Sequence, residues 1–139
     1  RQWTTPLHHL ATVGADRARA LLRGGADLRA AAAGADAPTP LSLAERLRAE
    51  GMAPAGSAAD LVLRAAEPWS PQNHYLFPWA ARARAIELML LGAQLERGND
   101  VWMAFVVPRA VQRDYEMPIE QLLARCSLAA WGRDSLWAY

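Results

Sequence analysis

The chain has 139 residues, 53% of them apolar, and carries 15 Lys and Arg against 14 Asp and Glu. That length and apolar content support one domain with a substantial core and exclude a disordered polar tail as the main state. All 15 positive charges are Arg and Ala fills 30 positions, a GC-rich codon bias, and the interleaved acidic residues leave no basic face of the kind that binds nucleic acid.

The first unit runs from Trp3 to about Leu28. Thr5 is placed to cap a helix, because its hydroxyl can accept from a first-turn amide, and Pro6 suits the first helical position, where no N–H is required. Leu7, Leu10 and Ala11 give that helix an apolar side. Gly14 is expected to end it and Asp16 to cap a second short helix carrying Leu21 and Leu22. Gly24-Gly25 then supplies a left-handed stop.

Thr5-Pro6-Leu7-His8 returns 34 residues later as Thr39-Pro40-Leu41-Ser42. Taken with Ala11, Gly14, Leu21-Leu22 and Gly25-Ala26-Asp27, it resembles the ankyrin-repeat family, whose period is about 33 residues. The first unit departs from that pattern by being one residue short between Gly14 and the Leu pair. The resemblance implies an all-α array of stacked helical hairpins that presents a binding surface. It also implies that His8 bonds back to the Thr of its own turn and across to the next loop.

Leu28 to Ala37 reads as a lengthened loop between units. Thr39-Pro40 then opens a helix with Leu41, Leu43, Ala44 and Leu47, closed by Gly51. After a loop through Gly56, Ser57 caps a helix with Leu61, Val62 and Ala65, and Asp60 stands in the capping-box position. In a third, degenerate unit, Trp69, His74 and Leu76 align without a gap on Trp3, His8 and Leu10, which predicts that His74 repeats the role of His8. Ser70-Pro71 lies one position earlier than Thr5-Pro6 on that alignment. A long helix follows, roughly Trp79 to Arg97, with Ala83, Ile86, Leu90 and Ala93 at helical spacing and Arg84 three residues before Glu87. The segment Trp69 to Pro78, with the Arg-rich helix after it, is similar to the region following the repeats in ankyrin proteins of GC-rich unicellular algae.

From Asp100, read as a cap, Trp102, Phe105 and Val106 follow at helical spacing, and Pro108 begins or kinks the next turn. Pro118 opens a last helix with Ile119, Leu122, Leu123 and Cys126 on one face, ending at Gly132. No strand signal of comparable strength occurs. Trp79 and Trp102 are expected in the core.

The residues offer little chemistry. His8 and His9 are adjacent and point about 100° apart on a helix, so they share no metal in simple helical geometry. Cys126 has no His nearby in sequence and lies on an apolar face, the pattern of a buried inert thiol. Being the single cysteine, it forms no disulfide or multi-cysteine metal site within this chain, which fits a reducing intracellular compartment, cytoplasm or organelle matrix. Gly24-Gly25 follows a helix and lacks the Lys and Ser/Thr of a phosphate loop. Glu116 and Glu120 have Pro118 between them and read as a solvated face. The longest apolar run, Val101 to Val107, reaches about a third of a ~30 Å bilayer core as a helix. The opening at Arg1 without Met is expected of a processed or partial product.

The expectation is therefore an all-α, ankyrin-like array of stacked helical hairpins with a helical C-terminal cap. Residues 1–68 form two repeats, 69–98 a degenerate third, and 99–139 the cap with an apolar tail. The expected function is a non-catalytic protein-protein interaction module, an accessory or structural subunit of a larger assembly, without catalytic residues, metal or cofactor. Its partners are proteins, with no nucleic acid and no transmembrane segment. Candidate interaction residues are Arg1, Gln2, Arg29, Asp36 and Met52 near the turns, and Trp131, Leu136, Trp137 and Tyr139 in the tail. Two alternatives stand beside it. One is a peripheral subunit of an organelle membrane complex, photosynthetic if the algal similarity holds, touching lipid or pigment through Trp102 and the tail aromatics. The other is an unrecognised enzyme that uses His74 or Cys126.

Overall fold

The structure, a computed structural model, describes residues 4–34, 37–94 and 99–129. Among them every regular element is helical: α1 (Ala15–Arg23), α2 (Pro40–Ala49), α3 (Ala58–Ala66), α4 (Trp79–Gln94), α5 (Asn99–Val101), α6 (Val107–Ala110) and α7 (Ile119–Ala129). Short 3-10 turns at Pro6–His9 and His74–Leu76 precede α1 and α4, and a π-helical turn, Trp102–Val106, joins α5 to α6.

The local signals act close to where the sequence puts them. Thr39 caps α2 by accepting from the Ser42 amide at 3.1 Å, and Ser57 caps α3 by accepting from the Asp60 amide at 3.3 Å. Asp60 does not complete a capping box with Ser57. Its carboxylate reaches one residue further back, to the Gly56 amide at 2.8 Å, which the left-handed backbone of Gly56 (φ 80°) presents to it. Two other caps shift. Gly14 is the residue before α1, so Asp16 lies inside the first turn, where its charge still favours the helix dipole. Asn99 likewise begins α5 ahead of Asp100. The segment opened by Thr5 is a single 3-10 turn, and Ala11 beyond it is exposed.

Two hydrophobic clusters follow. The first joins the turn at Pro6–His9, α1, α2, α3 and the turn at His74–Leu76 through Leu7, Leu10, Ala18, Leu22, Ala44, Leu61, Val62 and Leu76. The second packs Trp69 and Phe77 against Ala81, Ala85 and Leu88 of α4 and against Val107 and Val111, with Trp102 and Tyr115 alongside. Adjacent residues Leu76 and Phe77 face different clusters, so the turn before α4 ties the two together.

The second cluster corrects the face expected for α4. Ala81, Ala85, Leu88 and Gly92 point inward at i, i+4, i+7 and i+11, Ala83 is also buried, and Leu90 is 59% exposed. Ile86 is half-buried and Ala93 exposed. Small residues set this register because they let neighbouring chains approach. A Cβ on Gly92 would overlap the Trp102 ring. Trp79, expected in the core, is 44% exposed, because it precedes Ala81 by two residues and so stands well round the helix from the buried side.

The π-helical turn corrects the next expectation. The Val107 amide donates to the Trp102 carbonyl, five residues back, where an α-helix would reach four. The wider turn brings Val107 to the core and leaves Phe105 and Val106 exposed. Ile119, Leu122 and Leu123 on α7 are also exposed. Residues 95–98, and with them the expected helix end at Arg97, lie outside the described residues, as do the Cys126 side chain and the end at Gly132.

Candidate functional site

Among the described residues the same turn occurs three times. At Thr5 the backbone amide donates to His8 Nδ1 at 3.0 Å, the Thr5 hydroxyl lies 2.8 Å from that nitrogen, and the His8 amide donates to the Thr5 carbonyl at 2.9 Å. At Thr39 the amide donates to the Ser42 hydroxyl oxygen at 2.9 Å. At Ser70 the amide donates to Asn73 Oδ1 at 2.7 Å, and the Asn73 amide to the Ser70 carbonyl at 3.2 Å. In each case a Ser or Thr is followed by Pro, and the third residue on turns its side chain back.

What that third residue does beyond its own turn differs. His8 Nε2 lies 3.0 Å from the Pro38 carbonyl, bridging to the loop before α2. Ser42 has no second group to extend. Asn73, 2% exposed, donates through Nδ2 to the carbonyls of Arg64 and Pro68, both at 3.0 Å, and so locks the third turn onto the end of α3.

His74 therefore does not repeat His8; its neighbour Asn73 does, one position earlier. His74 Nδ1 instead accepts from the Trp69 indole N–H at 3.0 Å, the two rings meeting edge to face at 90°. The indole is a donor only, so His74 carries its ring proton on Nε2. Burial, and then the nearby Arg82 and Arg23 guanidiniums, hold its pKa below the usual histidine value.

A groove of about 790 Å³ opens beside the ends of α1 and α3. Residues 25–29 after α1 form one wall, Ala65 to Trp69 at the end of α3 and just beyond it another, and residues from Pro108 to Asp114 cross one end. Arg113 anchors that end. One guanidinium nitrogen donates to the Leu76 carbonyl at 2.7 Å and another to the Leu22 carbonyl at 2.8 Å, with the guanidinium 5.4 Å from the centre of the Phe77 ring. Burial lowers its pKa to about 10, which leaves it cationic at neutral pH. Arg29, Arg109, Asp27, Glu67 and Asp114 complete a groove of mixed charge over an apolar floor that includes Leu41 and Phe77.

Of the candidate interaction residues, Arg29 lines this groove and is exposed. Met52, 56% exposed, sits on the loop between α2 and α3 and does not. Arg1, Gln2, Asp36, Trp131, Leu136, Trp137 and Tyr139 lie outside the described residues. Reasoning from sequence missed Arg113 and Asn73. Asn73 had a signal, since it follows Ser70 by the same three residues that separate Thr5 from His8; Arg113 had none.

Among the described residues no group of three His, Cys, Asp or Glu side chains is placed to hold a metal ion, and no helix is long and apolar enough to cross a membrane. Comparison of the chain with protein-family models, with curated proteins and with solved structures finds no match.

Proposed function

We propose that the chain is a non-catalytic protein-protein interaction module, an accessory or structural subunit of a larger assembly, built as an ankyrin-like array. The observation that carries this reading is the threefold Ser/Thr-Pro turn, with Thr5, Thr39 and Ser70 each closed by a side chain three residues on. Repeated turns of this kind stack hairpins side by side, and such stacks bind along the groove their loops create. The groove beside Arg29 offers an apolar floor and fixed charges of both signs, the mixture that suits a polypeptide with its own alternating charges. A photo-crosslinking amino acid in place of Arg29 tests this in cells of the source organism. It should capture a defined protein partner, and the same group in place of Arg46 on α2 should not.

A second reading, the peripheral subunit of a membrane complex, draws on the C-terminal third. There Val101, Phe105, Ile119 and Leu123 are 61%, 55%, 71% and 61% exposed, and large apolar side chains left in water, where they form a patch, mark interaction sites. On this reading cross-links form from position 105 or 119 rather than from position 29, and the complex purified with its native partners absorbs visible light if it is photosynthetic.

A further inference from the structure

Trp69 belongs to two neighbourhoods at once. Its ring packs in the second cluster, 2% exposed, and the same residue stands in the groove lining with Phe77. Its one polar atom, the indole nitrogen, donates to His74 Nδ1 at 3.0 Å. His74 lines no part of the groove, yet it holds a residue that does. The bond exists in one protonation state only. A neutral imidazole with its proton on Nε2 keeps a lone pair at Nδ1, whereas an imidazolium carries an N–H on both nitrogens. After protonation two donors face each other, and the buried indole N–H is left without an acceptor, a costly state. His74 is only half-buried on a three-residue turn, so water reaches it in the folded chain.

The charges on the neighbouring elements decide where the change falls. The turn packs on α1 and α3 and leads into α4. Arg23 of α1 and Arg82 of α4 act on His74 as like charges. Arg64 of α3 lies 6.0 Å from the centre of the adjacent Tyr75 ring, and Arg113 donates to the Leu76 carbonyl at 2.7 Å. The carboxylates of the same three helices are engaged elsewhere: Asp16 with Arg19, Asp60 with the Gly56 amide and Glu87 with Arg84. Glu67, just past α3, lines the groove. Burial, and then Arg82 and Arg23, keep the His74 pKa below 6.5, so the imidazole is neutral at neutral pH and gains its proton on the acid side.

We propose that the Trp69–His74 pair is an acid-sensitive fastening of the groove: protonation of the imidazole releases the indole and loosens the lining that Trp69 and Phe77 form. At neutral pH the bond holds the groove in shape. Acidification loosens it, and a bound polypeptide is released as the pH falls. That release rests on the interaction reading given above. The fastening itself does not, and its test uses the chain alone.

The test is an NMR titration of the ¹⁵N-labelled chain from about pH 7.5 to about pH 5, the range in which histidines change charge. The Trp69 indole N–H signal should shift with the midpoint of the His74 ring, below pH 6.5. The amide signals of Ala66 and Val111, which line the groove, should move with it, and that of Met52, which does not, should stay. His74→Asn, which offers an acceptor without titrating, should hold all of these signals in place, and His74→Gln gives the same answer if the first variant fails to fold. An indole signal that stays fixed while His74 titrates would overturn the proposal, as would groove amides that move alike in parent and variant. So would the collapse of every dispersed signal at one midpoint, since the change would then be global unfolding. Failure of position 29 to capture a partner sinks the interaction reading instead and leaves these shifts as they are.

Discussion

The Trp102 indole occupies the space that a Cβ on Gly92 would fill, and its Nε1–H donates to the Leu88 carbonyl at 2.7 Å. This pair joins α4 to the π-helical turn and closes the second cluster. Gly92→Ala should force the ring away, at a cost of about 2 kcal/mol from overpacking plus the lost hydrogen bond. That corresponds to a fall in melting temperature of roughly 4 °C per kcal/mol for a chain of this length. Ala93→Gly, on the exposed side of the same turn, should cost less than about 1 kcal/mol; equal losses would contradict the packing.

Asn73 makes three hydrogen bonds from a buried position, to the Ser70 amide and the carbonyls of Arg64 and Pro68. Asn73→Ala leaves buried backbone groups unpaired and should destabilise by roughly 2–3 kcal/mol. Ser42→Ala, which opens the corresponding turn at an exposed position, should cost nearer ~0.5–1 kcal/mol. Urea unfolding midpoints of the two variants check the ranking.

Arg113 connects residues far apart in the chain, reaching the carbonyls of Leu76 and Leu22 at once. Arg113→Met should lose about 2–3 kcal/mol through the two abandoned carbonyls. Arg113→Lys keeps the charge but not the fork and should recover less than half of the loss. Faster hydrogen exchange at the end of α1 in both variants would report the detached clasp.

His74 gives stability a pH dependence of known sign. Its folded pKa lies below the unfolded value of 6.5, so its contribution is complete above pH 6.5 and is lost progressively as pH falls from there toward the folded pKa. Protonation places an N–H where Nδ1 accepts from Trp69. His74→Asn, which keeps an acceptor without titrating, should flatten this part of the profile below pH 6.5 when unfolding midpoints are compared with the parent chain. An unchanged profile would remove His74 as its source.

What was legible in the sequence is local. Thr39 and Ser57 act as caps because a hydroxyl and an amide three residues later need nothing else, and α2 and α3 follow from them. The buried side of α4 was not legible, because hydrophobic periodicity weighs Ile86 and Leu90 above Ala81, Ala85 and Gly92. Close packing against Trp69, Phe77 and Trp102 rewards the small residues instead. The roles of His74 and Asn73 were exchanged by a register error of one residue, since Trp69, His74 and Leu76 align with the first unit but the turn itself begins at Ser70. Arg113 bonds across 37 and 91 residues, a separation no local pattern encodes. In the groove only Arg29 was foreseen, from its place after a turn.

The proposed role is tested most directly by the size at which the native chain travels in a gentle extract of its own cells. An interaction module elutes within an assembly far larger than its own monomer, and Arg29→Glu together with Arg109→Glu, which reverse two charges of the groove, shift it toward the monomer. A native chain that elutes at its own monomer size, or one whose assembly survives both these changes and charged substitutions at Phe105 and Ile119, would contradict the account.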